Sequence, residues 1–255
     1  MTLLFDTQYL FIRALKKVIR NPILLFFSLF QPVLFLTLFT QLFKSLGGLP
    51  GFPSGSYIAF VTPGILLQNG FTSALQSGTS MVDELNSGFL QNMLVTQVNR
   101  SSILLGRLLS DAFRVCVQSI IILVMAFLLG AQIVTGIAGV VVILFTIASF
   151  GLAWSGISLS IGLATRRAET VTAIGFFLTF PLLFMSTALF PQAFLPSWMQ
   201  VVSSLNPISY NVNAIRDLAL GGITWSTMLS AYGVTALVAL LTLGATLYQF
   251  RKVVS

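Results

Sequence analysis

Charge is so thinly placed along this chain that long stretches carry none. Asn21 to Phe43, Ser45 to Val82, Val115 to Thr165, Thr170 to Ile215 and Leu218 to Phe250 are each free of Asp, Glu, Lys and Arg, and the third runs for 51 residues. A helix needs about 20 apolar residues to cross the hydrocarbon core of a bilayer, so every stretch can hold one crossing and the 51-residue one must hold two. The 13 Lys and Arg and 6 Asp and Glu make up 7% of 255 residues. A soluble surface takes roughly a quarter, so the sequence reads as an all-α, polytopic membrane protein with little chain left for a soluble domain.

Turn signals inside the stretches divide them into six transmembrane helices near 23–43, 57–80, 108–130, 136–164, 170–190 and 224–250. The third and fourth meet in an uncharged hairpin at Gly130-Ala131-Gln132 and Thr135-Gly136. Cytoplasmic loops accumulate Lys and Arg. With the amino-terminal side inside, Arg13, Lys16, Lys17, Arg20, Arg100, Arg107, Arg114, Arg166, Arg167, Arg251 and Lys252 are cytoplasmic, and only Lys44 and Arg216 fall outside. Six crossings then place both ends in the cytoplasm of a cell in whose plasma or inner membrane the chain resides. The net charge of +7 is topological on this reading and no sign of nucleic acid. The run from Ile23 to Phe43 is too long for a cleavable signal and no small-residue site closes it, so it is expected to stay as a span.

Several chemistries drop out. The chain has no His and a single Cys116, which removes histidine acid-base catalysis, an internal disulfide and most metal sites. No catalytic residue, cofactor or metal is expected on this chain. A serine hydrolase would need an unusual partner, and Lys44 has only the adjacent Ser45.

Polar residues stand out against this background. Arg13, Lys16, Lys17 and Arg20 recur at helical spacing while Leu4, Phe11, Leu15 and Val18 fall on another face. Residues 1–22 are therefore an amphipathic interfacial helix, ended by Asn21-Pro22, with its basic face toward lipid headgroups or a cytoplasmic partner. Gln68, Asn69, Thr72, Ser73, Gln76, Thr79 and Ser80 form a stripe on the second span. Such a stripe avoids lipid, and either lines a translocation path or holds helices together by hydrogen bonds. Gly151/Ser155, Gly156/Ser160 and Ser158/Gly162 on the fourth span have the spacing that lets helices approach closely, within one subunit or between two. Arg107, Asp111 and Arg114 share a face where Asp111 can pair with either arginine at interface depth, or form an ion pair deeper in the membrane. Before the last span, three prolines, Trp198 and Tyr210 argue against a straight crossing, and a re-entrant or interfacial helix pair on the outer side fits residues 191–222.

At these residues the chain resembles the membrane (permease) subunit of type-2 ABC exporters, the family of the daunorubicin-resistance permeases. Pro191, Pro196, Trp198, Asn206, Pro207, Tyr210 and Arg216 follow that family's outer-loop signature. A second match lies in the loop 82–104, where the acidic Asp83-Glu84, Gly88, the Met93-Leu94 pair, Thr96 and Arg100 agree, although Gln91 replaces the usual Glu and Gln97 the usual Pro; Gln91 and Asn92 stay candidates for the coupling contact. Pro63-Gly64, the basic amino-terminal helix and the six spans agree too, so the likeness extends over residues 23–255 as one permease domain. The resemblance implies that loop 82–104 forms a coupling helix docking on an ABC ATPase subunit present in two copies, which carries ATP and Mg. It also implies that a second permease copy, as a homodimer, encloses the path. The sequence contains no Gly-x-x-x-x-Gly-Lys-Ser/Thr loop, so the expected ATP site lies outside these residues.

The leading expectation is a permease moving an amphiphilic small molecule, drug or lipid-like substrate outward by alternating access, with Gln68, Asn69, Thr72 and Gln76 as candidate path residues. The alternative is an ion- or proton-coupled secondary transporter. That reading needs intramembrane acids and favours inverted repeats; Asp111 is its one acid near a span interior, and no repeat relates the two halves. Few Tyr and Trp, 5 and 3, speak against a polysaccharide path.

Overall fold

The computed structural model describes residues 3–48, 52, 56–95 and 100–254. Ten α-helices run through the described residues, and no strand is found among them: α1 (Leu3–Ile19), α2 (Pro22–Leu42), α3 (Tyr57–Asn86), α4 (Phe89–Leu94), α5 (Arg100–Leu128), α6 (Gly136–Thr165), α7 (Ala168–Phe184), α8 (Ser197–Leu205), α9 (Pro207–Leu220) and α10 (Trp225–Val254). By length and composition, four can cross a membrane: Tyr57–Asn86, Ser102–Leu128, Gly136–Thr165 and Trp225–Lys252. Phe26–Leu42 and Ala168–Phe184 are shorter apolar helices. Each expected span thus coincides with one apolar helix, with shifted edges. The second runs on to Asn86 because Met81, Val82 and Leu85 continue its buried face. The third starts at Arg100, ahead of the expected position, and the fifth stops at Phe184 rather than near 190.

α3 is the axis of the bundle. Every residue from Tyr57 to Phe71 is buried, and the helix packs against α2, α5, α6, α7 and α9. A helix covered on all sides belongs at a core even where it carries a polar stripe, and here Phe71 meets Phe150 and Trp154 of α6 edge-on at 4.9 and 4.6 Å. The two helices cross where side chains vanish. A Cβ at Gly78 would stand 2.6 Å from the Ser158 carbonyl oxygen, and one at Gly162 only 3.0 Å from that of Gly78. The Ser158 hydroxyl donates to the Ala74 carbonyl across the same crossing. On its other side α6 meets α10: Gly156 abuts Thr242, Thr242 donates to Ala153 O at 2.7 Å, and Thr246 to Gly156 O at 2.8 Å. The small residues of the fourth span therefore serve packing inside the chain, on two faces at once.

α1 lies along α5, with Phe11 of the expected apolar face packed on α5 and Leu15 half-buried, while the Leu4 and Val18 side chains lie outside the described residues. Asp6 and Thr7 are buried, whereas Phe5, Tyr9 and Ile12 are exposed. Gly106 of α5 makes the seat, because its missing side chain admits Leu10, Thr7 and Phe11 to close contact. Phe11 adds an edge-on contact with Phe113 at 6.0 Å.

Candidate functional site

Two polar clusters form at opposite ends of α3, one around Glu84 and one around Phe60. Twenty-four residues separate them, about 36 Å at 1.5 Å per residue, slightly more than the hydrocarbon thickness of a bilayer.

The Glu84 end contains the loop that the sequence marks. Gly88 turns the chain with φ 72, the left-handed region that glycine enters without strain. The short α4 that follows is two-faced. Leu90 and Met93 are buried in an apolar cluster with Met81, Leu85, Ile103, Leu104 and Phe250, while Gln91 and Asn92 are exposed. Asp83 is exposed as well, but Glu84 turns inward: Arg107 of α5 reaches its carboxylate at 2.6 Å, and Arg13 of α1 stands 3.9 Å away. Arg107 also donates to Ser77 O at 3.1 Å. Asp111 pairs with Arg114 at 3.2 Å, and Arg114 donates to the hydroxyl and carbonyl of Ser73. Of the two arginines that spacing offered Asp111, the structure selects Arg114 and gives Arg107 to Glu84. A cavity of about 60 Å³ opens among Arg13, Gln76, Ser77, Glu84, Arg107 and Asp111. Thr96 and Gln97 lie outside the described residues, as does the Arg100 side chain.

The Phe60 end is built from the outer signature. Asn206 has two functions: its amide oxygen accepts from Ile208 N at 2.9 Å, capping α9, and its amide nitrogen donates to Leu182 O at 2.6 Å and Met185 O at 3.3 Å, closing the end of α7. This is why α7 stops where it does. Pro207 follows at the first position of α9, where its missing N–H costs nothing. Pro196 stands one position earlier relative to α8, at its N-cap, and Pro191 is buried ahead of a short 3-10 turn. Trp198 is exposed on α8, and Tyr210 packs partly buried against the main core.

Arg216 binds these parts together. Its guanidinium lies 3.7 Å from the Phe60 ring centroid and donates to Thr187 O at 2.7 Å, Asn213 Oδ1 at 3.0 Å and Phe60 O at 3.3 Å. Burial pushes its pKa down, with neighbouring Asp217 pulling the other way. Tyr57 donates to Leu189 O at 3.2 Å, and Gly64 takes Ala188 so closely that a Cβ would meet its carbonyl at 2.7 Å. Pro63-Gly64 is thus the seat for the turn after α7.

Between the clusters, the polar stripe of α3 is largely covered. Gln68 and Asn69 are buried, with Asn69 donating to Ser119 of α5 at 3.5 Å. Thr72 donates to Gln68 O within its own helix at 3.1 Å. Gln76 alone of the four candidate path residues borders the inner cavity. Of these residues Asn69 joins α3 to α5.

A bundle of apolar helices around a buried axis, with a short two-faced helix at one end and a capped helix pair at the other, defines a multi-pass membrane protein. The ABC-2 type transporter family model matches residues 6–220, and the chain belongs to that family. It is 35% identical over 225 residues to a protein of Cyanophora paradoxa named as transport permease ycf38, covering 85% of this chain and 76% of that one. A daunorubicin resistance ABC transporter permease of Streptomyces coeruleorubidus is 29% identical, over 82% of this chain and 73% of its own. One named for doxorubicin resistance in Mycobacterium tuberculosis is 27% identical, over 85% and 78%.

Proposed function

We propose that this chain is the permease subunit of an ATP-driven exporter, crossing the plasma or inner membrane six times with both ends in the cytoplasm. Two copies pair around the path, and two ABC ATPase subunits, holding ATP and Mg, dock beneath them. ATP-driven closure of the ATPase pair biases the membrane part between inward- and outward-facing states. The substrate is an amphiphilic small molecule, drug or lipid-like compound, a reading that the names of the relatives support.

The observation that carries this reading is α4. A six-residue helix with one buried apolar face, an exposed polar face and a glycine hinge behind it serves as a knob held out toward a partner. Asp83, Gln91 and Asn92 form its contact surface, Gly88 sets its angle, and Glu84 braces it from within. Thr96 and Arg100 belong to the same loop by resemblance. The outer signature residues keep the far side closed when the knob is at rest. A proton-coupled alternative would need Asp111 free to load, but Arg114 holds it.

The test pairs two changes. Mutating the phosphate-loop lysine of the ATPase should abolish export, whereas Gly88→Trp should leave the permease in the membrane yet separate ATP hydrolysis from transport. Undiminished export without a working ATPase would sink the reading.

A further inference from the structure

The side chain that orients α4 comes from α1, outside both sequence signatures. The Arg13 guanidinium carbon stands 3.6 Å from the Phe89 ring centroid, its Nη1 donates to Met93 Sδ at 3.7 Å, and its Nη2 lies 3.9 Å from Glu84 Oε1. One residue thereby touches the end of α3 and both ends of α4. A helix of six residues has no stability of its own, since nucleation outweighs the few bonds it forms. Leu90 and Met93 supply burial, but apolar contacts are not directional and leave rotation about the helix axis weakly fixed. A planar guanidinium stacked on a ring does fix it. α1 can bear that load because it is seated in the Gly106 notch of α5.

We propose that Arg13 is a positioning residue for energy coupling: it holds α4 so that Gln91 and Asn92 face the ATPase, and it makes α1 and α4 move as one body. The inference rests on the exporter reading above and deepens it. It also assigns α1 a mechanical part in addition to its contact with lipid.

The experiment uses the permease co-purified with its ATPase in lipid nanodiscs and reads three quantities: the ATPase retained per permease, the KM for ATP, and the ATP turnover that depends on the permease. Arg13→Ala should retain the ATPase and the KM, which belong to the partner, while permease-dependent turnover falls about tenfold, the effect of roughly one lost directional contact. Arg13→Lys should fall between, because an ammonium can stack on Phe89 without reaching all three partners. Phe89→Leu should match Arg13→Ala, and the double variant should be no worse than either single change. If Arg13→Ala fails to fold, Phe89→Leu carries the test, since it keeps every charge. Wild-type turnover in both variants, or single effects that multiply, would overturn the proposal. A wild-type permease that retains no ATPase would overturn the exporter reading itself, a different and separable result.

Discussion

At the scale of single residues, Asn206 shows how one side chain can define an irregular segment. Its amide satisfies the exposed N–H end of α9 with the oxygen and the carbonyl end of α7 with the nitrogen. Asn206→Ala should cost about 1–3 kcal/mol, because a cap is lost and buried carbonyls are left without a donor. Asn206→Asp keeps the cap but sets a buried carboxylate oxygen against two carbonyl oxygens, and should lose more than the alanine variant. Thermal unfolding in detergent distinguishes the three proteins, and equal midpoints would contradict the double role. This part of the site was legible: Asn-Pro is a strong helix start, and the prolines around it rule out a straight span. The pairing at the other end was not. Spacing reveals partners on the same helix, so it could show Asp111 beside Arg114 but not Glu84 with Arg107 and Arg13, which arrive from two other helices.

At the scale of elements, the crossing of α3 and α6 depends on the absence of side chains. Gly78→Val puts atoms where the Ser158 backbone already lies and should destabilise the bundle by about 3 kcal/mol or more, or block insertion. Gly244→Ala, on α10 with nothing within 4 Å, should be neutral or gain up to about 1 kcal/mol from helix propensity. The melting temperatures should therefore move in opposite directions; a shared shift would mean that crowding is not what Gly78 avoids. The small-residue spacing on the fourth span announced close packing, but not that α6 would use it on both sides. Periodicity put Phe11 on the packed side of α1 but could not name the notch that receives it, a glycine on another helix, nor the burial of Asp6.

At the scale of the whole molecule, the scarcity of charge that marks the chain as membranous also sorts its two ends. The Glu84 cluster draws on Arg13, Arg107 and Arg114, all on the side expected to be cytoplasmic, and the Phe60 cluster on Arg216, one of two basic residues expected outside. Single cysteines at Arg166 and Trp198, both exposed, should react with a membrane-impermeant thiol reagent from opposite sides, Trp198→Cys in intact cells and Arg166→Cys only after lysis. Labelling of both from the same side would invert or break the six-span arrangement. Docking of an ATP-hydrolysing partner on α4, the reading proposed above, is checked by a photo-crosslinking amino acid placed at Asn92 and, separately, at Trp198. Irradiated native membranes should give an ABC ATPase subunit joined to position 92 and none joined to 198. Absence of that subunit at 92, or its capture at 198, would exclude α4 as the docking face.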